Sequence, residues 1–521
     1  MIIPSRHRGL LPAIAGAALV GGATAAFHYH RLGLTLSHYD ARGHLVVARR
    51  IIDSITPGWQ QIGAVWLPLP HLLNLLPVQI DALYRNGASA VAISVTAFAI
   101  ATAAVAWIVL AFTDSALAAL AGAAVFAFNP NVLYLQATPM TEPLLLALTT
   151  VAVAMLIEGS VPAATGIVFA LACLTRYEAW PVTMCALAAA VWARWRSGDP
   201  WPAAWRRVAP VALYPAAAVL AFLVFSRVVI GRWFVSSGFF VPENRALGDP
   251  LLAAGEIWWG THMLSGYLTI ALAAAGLIVL LVRGVVTRER AGGIIALSLL
   301  AAGALPWAAF VNGHPFRIRY MVPLIVCEAI GAGIAAGASR RLRVVTALVV
   351  LGAAAYELRP VGRSFRAGVP MVVEAQWEQP NAPVRKTITR YLRAEYDGEK
   401  IMASMGSLGH YMQEASRDGF AIADFLHEGN GDIWLAALES PRPFVGWVLI
   451  EEKANGGDTL ARIARERPHF LDGFSRVCEG AGVALYRRQN RAPTVNKTFH
   501  PPRSTFDPEK SGGPGMFPFA D

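Results

Sequence analysis

Apolar runs of roughly bilayer-crossing length recur through the first two-thirds of the chain. They lie near 9–27, 88–112, 116–134, 142–157, 161–175, 179–193, 208–230, 266–282, 292–311, 319–337 and 343–357. A spanning helix takes about 20 predominantly apolar residues, so the pattern predicts an α-helical polytopic membrane protein with about eleven spans. The first two runs are separated by a long loop, 28–87. In it Leu45, Ala48, Ile52 and Ile55 recur at helical spacing, with Arg42, Arg49 and Asp53 on another face. That is the pattern of an amphipathic helix lying in the membrane interface, ended by Thr56-Pro57-Gly58-Trp59. A second apolar piece, Trp66 to Leu73, is made irregular by Pro68 and Pro70. The loop 231–265 carries Trp233, Phe239, Phe240, Trp258 and Trp259, aromatics that suit the headgroup level and also stack on sugar rings.

From about residue 358 charge rises and the apolar runs shorten. The stretches 400–405, 421–425, 443–450 and 483–486 read as strands, and 387–396 and 458–466 as helices between them. The expected organisation is a transmembrane domain over 1–357, an α/β domain over 358–490 and a disordered tail over 491–521, rich in Pro, Gly and Ser. No repeat of fixed period is seen.

Composition agrees with a membrane protein: of 521 residues, 55% are hydrophobic and 15% charged. The net charge of +10 would suit nucleic acid, but many arginines sit at the ends of apolar runs, where they serve topology and lipid headgroups. Nucleic acid is therefore excluded as a partner. Cys173, Cys185, Cys327 and Cys478 form no close pair, which excludes a metal cluster or a disulfide framework. Met1 to Arg8 is a short basic stretch ahead of a retained first span. Basic clusters at 6–8, 194–207, 283–290 and 340–343 fall on one side when spans alternate. Positive-inside then puts the N-terminus in the cytoplasm, and an odd span number puts the C-terminal domain outside.

The candidate chemistry gathers on that outer side. Asp40 and His44 are four apart and share a helix face, an acid–base pair suited to taking a proton from an acceptor hydroxyl. The plainer reading is that Asp40 caps the helix. Thr141 and Glu142 open the fourth span as N-cap and first-turn acid, and Glu142 is also a candidate second carboxylate. Arg176 and Glu178 join two spans, either as an interfacial ion pair or as a phosphate ligand and a sugar-positioning acid, with Tyr177 between them. Arg317 and Arg319, in His314-Pro315-Phe316-Arg317-Ile318-Arg319-Tyr320, run against positive-inside, so topology does not explain them. A lipid-linked phosphate does. His314 and Tyr320 go with that donor site; Trp66 and His71 are weaker sugar or acceptor candidates. No phosphate-binding G-x-x-x-x-G-K-[ST] loop, H-E-x-x-H or C-x-x-C motif is present.

The order of these pieces resembles the membrane glycosyltransferases of the GT-C class. It is most similar to bacterial relatives of dolichyl-phosphate-mannose–protein mannosyltransferases (glycosyltransferase family 39) and of lipid A aminoarabinose transferase. The matching parts are Tyr39-Asp40, Asn129-Pro130-Asn131, Met140-Thr141-Glu142-Pro143, Thr175-Arg176-Tyr177-Glu178 and Arg317-Ile318-Arg319-Tyr320. The resemblance implies a bacterial inner-membrane enzyme and a sugar donor on a polyprenyl phosphate. Transfer to a glycan, lipid or protein acceptor would occur at the outer face with inversion. It would make Asp40 the base, Arg176, Arg317 and Arg319 the ligands of the departing phosphate, and Glu142 and Glu178 the walls of the sugar pocket. Many relatives carry Glu after the Asp; here Ala41 follows. A divalent ion, if one is held, falls to Asp40 and Glu142. Two other classes remain open: a polytopic transporter, and a non-catalytic membrane scaffold.

Overall fold

The computed structural model describes residues 7, 9–231, 233, 244–358 and 369–489. These fall into two compact units, one of 1–33, 65–70 and 91–374, the other of 34–64, 71–90 and 375–521. Arg6, Arg8, Phe239, Phe240 and the tail expected to be disordered lie outside the described residues.

The first unit is a helical bundle. Six of its helices are long and apolar enough to cross a membrane: Leu10–Arg31, Ala88–Thr113, Trp201–Ile230, Tyr267–Val286, Arg288–Val311 and Ile318–Gly337. The protein is an integral membrane protein, with six such helices among the described residues rather than about eleven. The difference lies in helix length. Ala116–Ala127 and Pro162–Cys173 are each 12 residues. At ~1.5 Å per residue each reaches only ~18 Å, against a hydrocarbon core of about 30 Å. The run 116–134, expected as one span, is broken at Asn129-Pro130 into Ala116–Ala127 and Pro130–Leu135.

Within this bundle the apolar windows of Ala88–Thr113 and Ile318–Gly337 are 72% and 78% buried, whereas those of Leu10–Arg31 and Trp201–Ile230 are 22% buried. The first two are therefore inner helices; the last two offer most of their surface to lipid. Close packing at the centre rests on small residues. A Cβ on Gly276 would stand 1.8 Å from the carbonyl oxygen of Gly331, so Tyr267–Val286 and Ile318–Gly337 meet backbone to backbone.

The second unit holds a five-stranded mixed sheet. Its strands are β1 (Ile401–Ala403), β2 (Phe425–Leu426), β3 (Trp447–Glu451), β4 (Phe474–Gly480) and β5 (Val483–Arg488), in the order β2-β1-β3-β5-β4. β1 runs parallel to β2 and β3; β5 runs antiparallel to β3 and β4. Helices Ala382–Glu395, Met405–Ala415, Asp432–Glu439 and Thr459–Glu466 complete the α/β layer. Asp458 is the N-cap of the last, accepting from the Ala461 N–H at 2.8 Å. The stretch 421–425, expected as a strand, begins as the 3₁₀ turn Ile422–Asp424. The reason is a distant acid: Asp53 accepts from the N–H groups of Ile422 and Ala423, at 3.2 and 3.0 Å.

The amphipathic helix of the first loop is also corrected. It runs Tyr39–Arg50, stops before Ile52 and Ile55, and is buried from Asp40 to Ala48. Leu45, Val46 and Ala48 sit in one core with Ile388, Leu408, Tyr411 and Trp447. Its charges are paired inside rather than laid on headgroups. Arg42 donates to Glu414 at 2.8 Å, to Gln413 at 2.5 Å and to the Leu36 carbonyl at 2.9 Å. Arg49 donates to Asp53 at 2.8 Å and lies over the Tyr84 ring at 4.6 Å.

Candidate functional site

In the first unit a buried charged cluster forms where three helix ends meet. Glu142 is the first residue of the helix Glu142–Glu158 and is 0% exposed. Arg176 comes from the turn after Pro162–Cys173, and Glu178 immediately precedes Ala179–Arg196. Arg176 grips Glu178 through Nη2 at 2.7 Å and Nε at 3.1 Å, and reaches Glu142 through Nη1 at 3.1 Å. The Glu142 contact is close but off-line for a hydrogen bond; Nη1 donates instead to the Thr141 hydroxyl at 3.1 Å. Thr141, expected to cap its own helix, makes no side-chain cap bond. Burial works to lower the Arg176 pKa, but Glu142 and Glu178 outweigh it and raise it, so the guanidinium stays charged.

Arg319 completes the cluster. It is 6% exposed, and its Nε stands 3.9 Å from Glu142. It lies on the 3₁₀ turn Ile318–Met321 that opens the helix Val322–Gly337, and its guanidinium sits 5.2 Å from the Tyr320 ring centroid. Arg317 precedes it in extended backbone and is half-buried. His314 Nδ1 lies 2.9 Å from the Pro315 carbonyl, and its Nε2 is 3.4 Å from the Tyr320 hydroxyl. Those partners assign the proton to Nδ1 and leave Nε2 as acceptor. Glu142, Arg176, Glu178 and Arg319 thus balance two positive against two negative charges, and Arg317 adds a positive charge nearby in sequence.

A small apolar crevice of about 10 Å³, room for little more than one water, adjoins this cluster. Leu145, Leu146 and Thr149 line it, on the face of their helix that also carries Glu142. Val182 and Pro323 face them, and Glu178 is its charged wall. Tyr177 stands edge-on to Trp180 at 5.2 Å, and burial pushes its phenol up to about 12. Trp66 is half-buried, on a segment tied to this turn by the Leu69 N–H, which donates to the Leu174 carbonyl at 2.9 Å.

In the second unit Asp40 is 3% exposed, in the first turn of Tyr39–Arg50. It is not the cap: His38 is, its Nδ1 accepting from the Asp40 N–H at 3.1 Å. His44, one turn on, meets His71 at 3.1 Å between Nδ1 and Nε2, and the two are 6% and 1% exposed. Sequence reading separated these histidines and missed their pairing, because 26 residues, Pro57, Pro68 and Pro70 among them, lie between them. Asp40, His44 and His71 belong to the second unit, and the other candidates to the first. Among the described residues no group of three or more His, Cys, Asp or Glu is placed to hold a metal ion.

No protein-family model matches the sequence, and no curated protein does. Solved structures do match in fold. ArnT from Cupriavidus metallidurans bound to undecaprenyl phosphate superposes with a TM-score of 0.56 at 14% identity, over 93% of this chain and 99% of that one. Its apo form gives 0.57 at 13%, over 92% and 98%. The Archaeoglobus fulgidus oligosaccharyltransferase, in complex with zinc and sulfate, gives 0.46 at 11%, over 90% and 73%. The chain has a GT-C-like fold, that of ArnT; at such identity the likeness is one of fold alone.

Proposed function

We propose that this protein is a membrane glycosyltransferase that takes a sugar from a polyprenyl phosphate and passes it to a glycan, lipid or protein acceptor at the extracytoplasmic face. The observation that carries this reading is the buried Glu142–Arg176–Glu178–Arg319 cluster, walled by the apolar side chains of Leu145, Leu146, Val182 and Pro323, in a chain with the fold of ArnT. A phosphate at the head of a long hydrocarbon needs that combination: fixed positive charge next to an apolar wall.

In this reading the donor is already activated, since the departing group is a phosphate. Asp40 takes the proton from the acceptor hydroxyl. The hydroxyl oxygen bonds to the anomeric carbon from the face opposite the lipid phosphate, and the carbon–phosphate-oxygen bond breaks with inversion. Negative charge returns to the polyprenyl phosphate, where Arg319 and Arg317 receive it. Arg176 donates to Glu178 and Thr141 and pairs by charge with Glu142. Its part is therefore to hold the two acids in place at the sugar.

The test is binding of undecaprenyl phosphate to the full chain in nanodiscs. Wild type should bind, and Arg319→Gln should bind at least about tenfold more weakly. Equal binding by the two proteins would refute the reading.

A further inference from the structure

Between Arg317 and Arg319 lies Ile318, and its backbone N–H is not left to solvent. It donates to Glu374 Oε2 at 2.6 Å. This N–H is the first of the 3₁₀ turn Ile318–Met321, which continues into Val322–Gly337. Helix starts leave such donors without an intrahelical partner. No nearby side chain supplies one here: Arg317, in the cap position, makes no side-chain cap bond. The acceptor comes from 56 residues downstream.

The strap that brings it is itself fixed. Met371 and Val372 are 0% exposed, and the Met371 N–H donates to Asn131 Oδ1 at 3.1 Å. Asn131 in turn donates through Nδ2 to the Leu264 carbonyl at 3.0 Å. Glu374 therefore reaches Ile318 from a segment anchored to Asn131, which is itself tied to Leu264. The bond holds the backbone one residue before Arg319, whose Nε stands 3.9 Å from Glu142.

We infer that Glu374 is a positioning residue for the phosphate-binding arginines, holding the Arg317-Ile318-Arg319 backbone through the Ile318 N–H. The inference rests on the polyprenyl-phosphate reading above. It goes beyond it by assigning a positioning role to Glu374.

The hydrogen bond needs an acceptor oxygen and not a negative charge, and this separates two substitutions. Glu374→Gln keeps an oxygen for the N–H; Glu374→Ala does not. With undecaprenyl phosphate as probe and the full chain in nanodiscs, Glu374→Ala should bind about tenfold more weakly. Glu374→Gln should stay within about twofold of wild type. In a transfer assay the alanine variant should raise the donor KM with little change in kcat, and the glutamine variant should restore it. Wild-type binding by Glu374→Ala, with Arg319→Gln impaired, would overturn this inference and leave the functional reading standing. So would a Glu374→Gln loss as large as that of alanine. Absence of binding by wild type itself would instead refute the functional reading.

Discussion

Arg176 and Glu178, two residues apart in a turn, form a two-pronged ion pair, with Nη2 and Nε at 2.7 and 3.1 Å from Oε1. The fork is planar and its partner nearly buried, with the Glu178 side chain 4% exposed. A lysine cannot reproduce both prongs. Arg176→Ala would leave Glu178 and the fully buried Glu142 without their main countercharge. Breaking a buried pair in this way typically costs ~3–5 kcal/mol. The expected outcome is a clearly lower melting temperature in detergent for Arg176→Ala and an intermediate one for Arg176→Lys. The double change Arg176→Met with Glu178→Leu should melt higher than Arg176→Ala, because it removes both charges of the pair together.

Asp40 gives the sharpest functional expectation. His38 already caps its helix, so the Asp40 carboxylate is not needed to start that helix. Asp40→Asn keeps shape and should keep the fold, while removing the carboxylate proposed as the base. Loss of a positioned general base typically costs ~10²–10⁴-fold in rate. Sugar transfer should fall by that order, with binding of undecaprenyl phosphate unchanged. Full transfer activity in the variant would remove Asp40 from the mechanism.

How much of this was legible beforehand depends on the range of the interaction. The apolar runs gave away the bundle, and the runs opening at Glu142 and Ile318 placed a carboxylate and two arginines at helix ends. Local patterning misread Tyr39–Arg50, since Arg42 is neutralised by Glu414, 372 residues away. A helix with buried charges and one lying on headgroups look alike until the partner is known. β4 was missed because it is an edge strand whose pattern is mostly polar, with only Cys478 fully buried. The Ala481-Gly482 turn into β5, with both φ positive, carries no Asn-Gly signature. Glu374 had no motif at all; its role exists only through a backbone N–H that sequence does not display.

The second unit should show a stability optimum in pH, with opposite limbs from different groups. Burial pushes the Glu451 carboxyl up to about 7, against hydrogen bonds from the Ala454 and Lys453 N–H groups that pull it down. Burial likewise raises Asp458 to about 6. An acid whose folded pKa is raised binds its proton more tightly when folded. Its contribution is complete below the unfolded value, about 4, and is lost as pH rises through the folded one. His410 and His427 go the other way. Burial, with Arg385 and Arg42 beside the first and Arg50 beside the second, lowers both well below the ordinary value. They stay neutral when folded, so stability falls as pH drops below the unfolded value of about 6.5. Above that value only the Glu451 limb remains steep. Urea denaturation followed by tryptophan fluorescence should show stability falling from pH 6.5 to 8. Glu451→Gln, which keeps an acceptor for both N–H groups, should flatten that fall.

The bundle itself offers a sterically defined test. A methyl group on Gly331 would lie 2.4 Å from the Ala273 carbonyl oxygen, a backbone atom that cannot rotate aside. Gly331→Ala must therefore push Tyr267–Val286 away from the inner helix. Overpacking of this kind typically costs ~1–3 kcal/mol. That displacement also disturbs the helix that carries Arg319 at its start, so binding of undecaprenyl phosphate should weaken along with the melting temperature. Gly16, on Leu10–Arg31, has nothing within 4 Å of an added Cβ. Gly16→Ala is the matched control and should melt as wild type or slightly higher, since alanine favours helix over glycine by roughly 1 kcal/mol. If the two variants melt alike, the contact between Gly276 and Gly331 is not what holds these helices together.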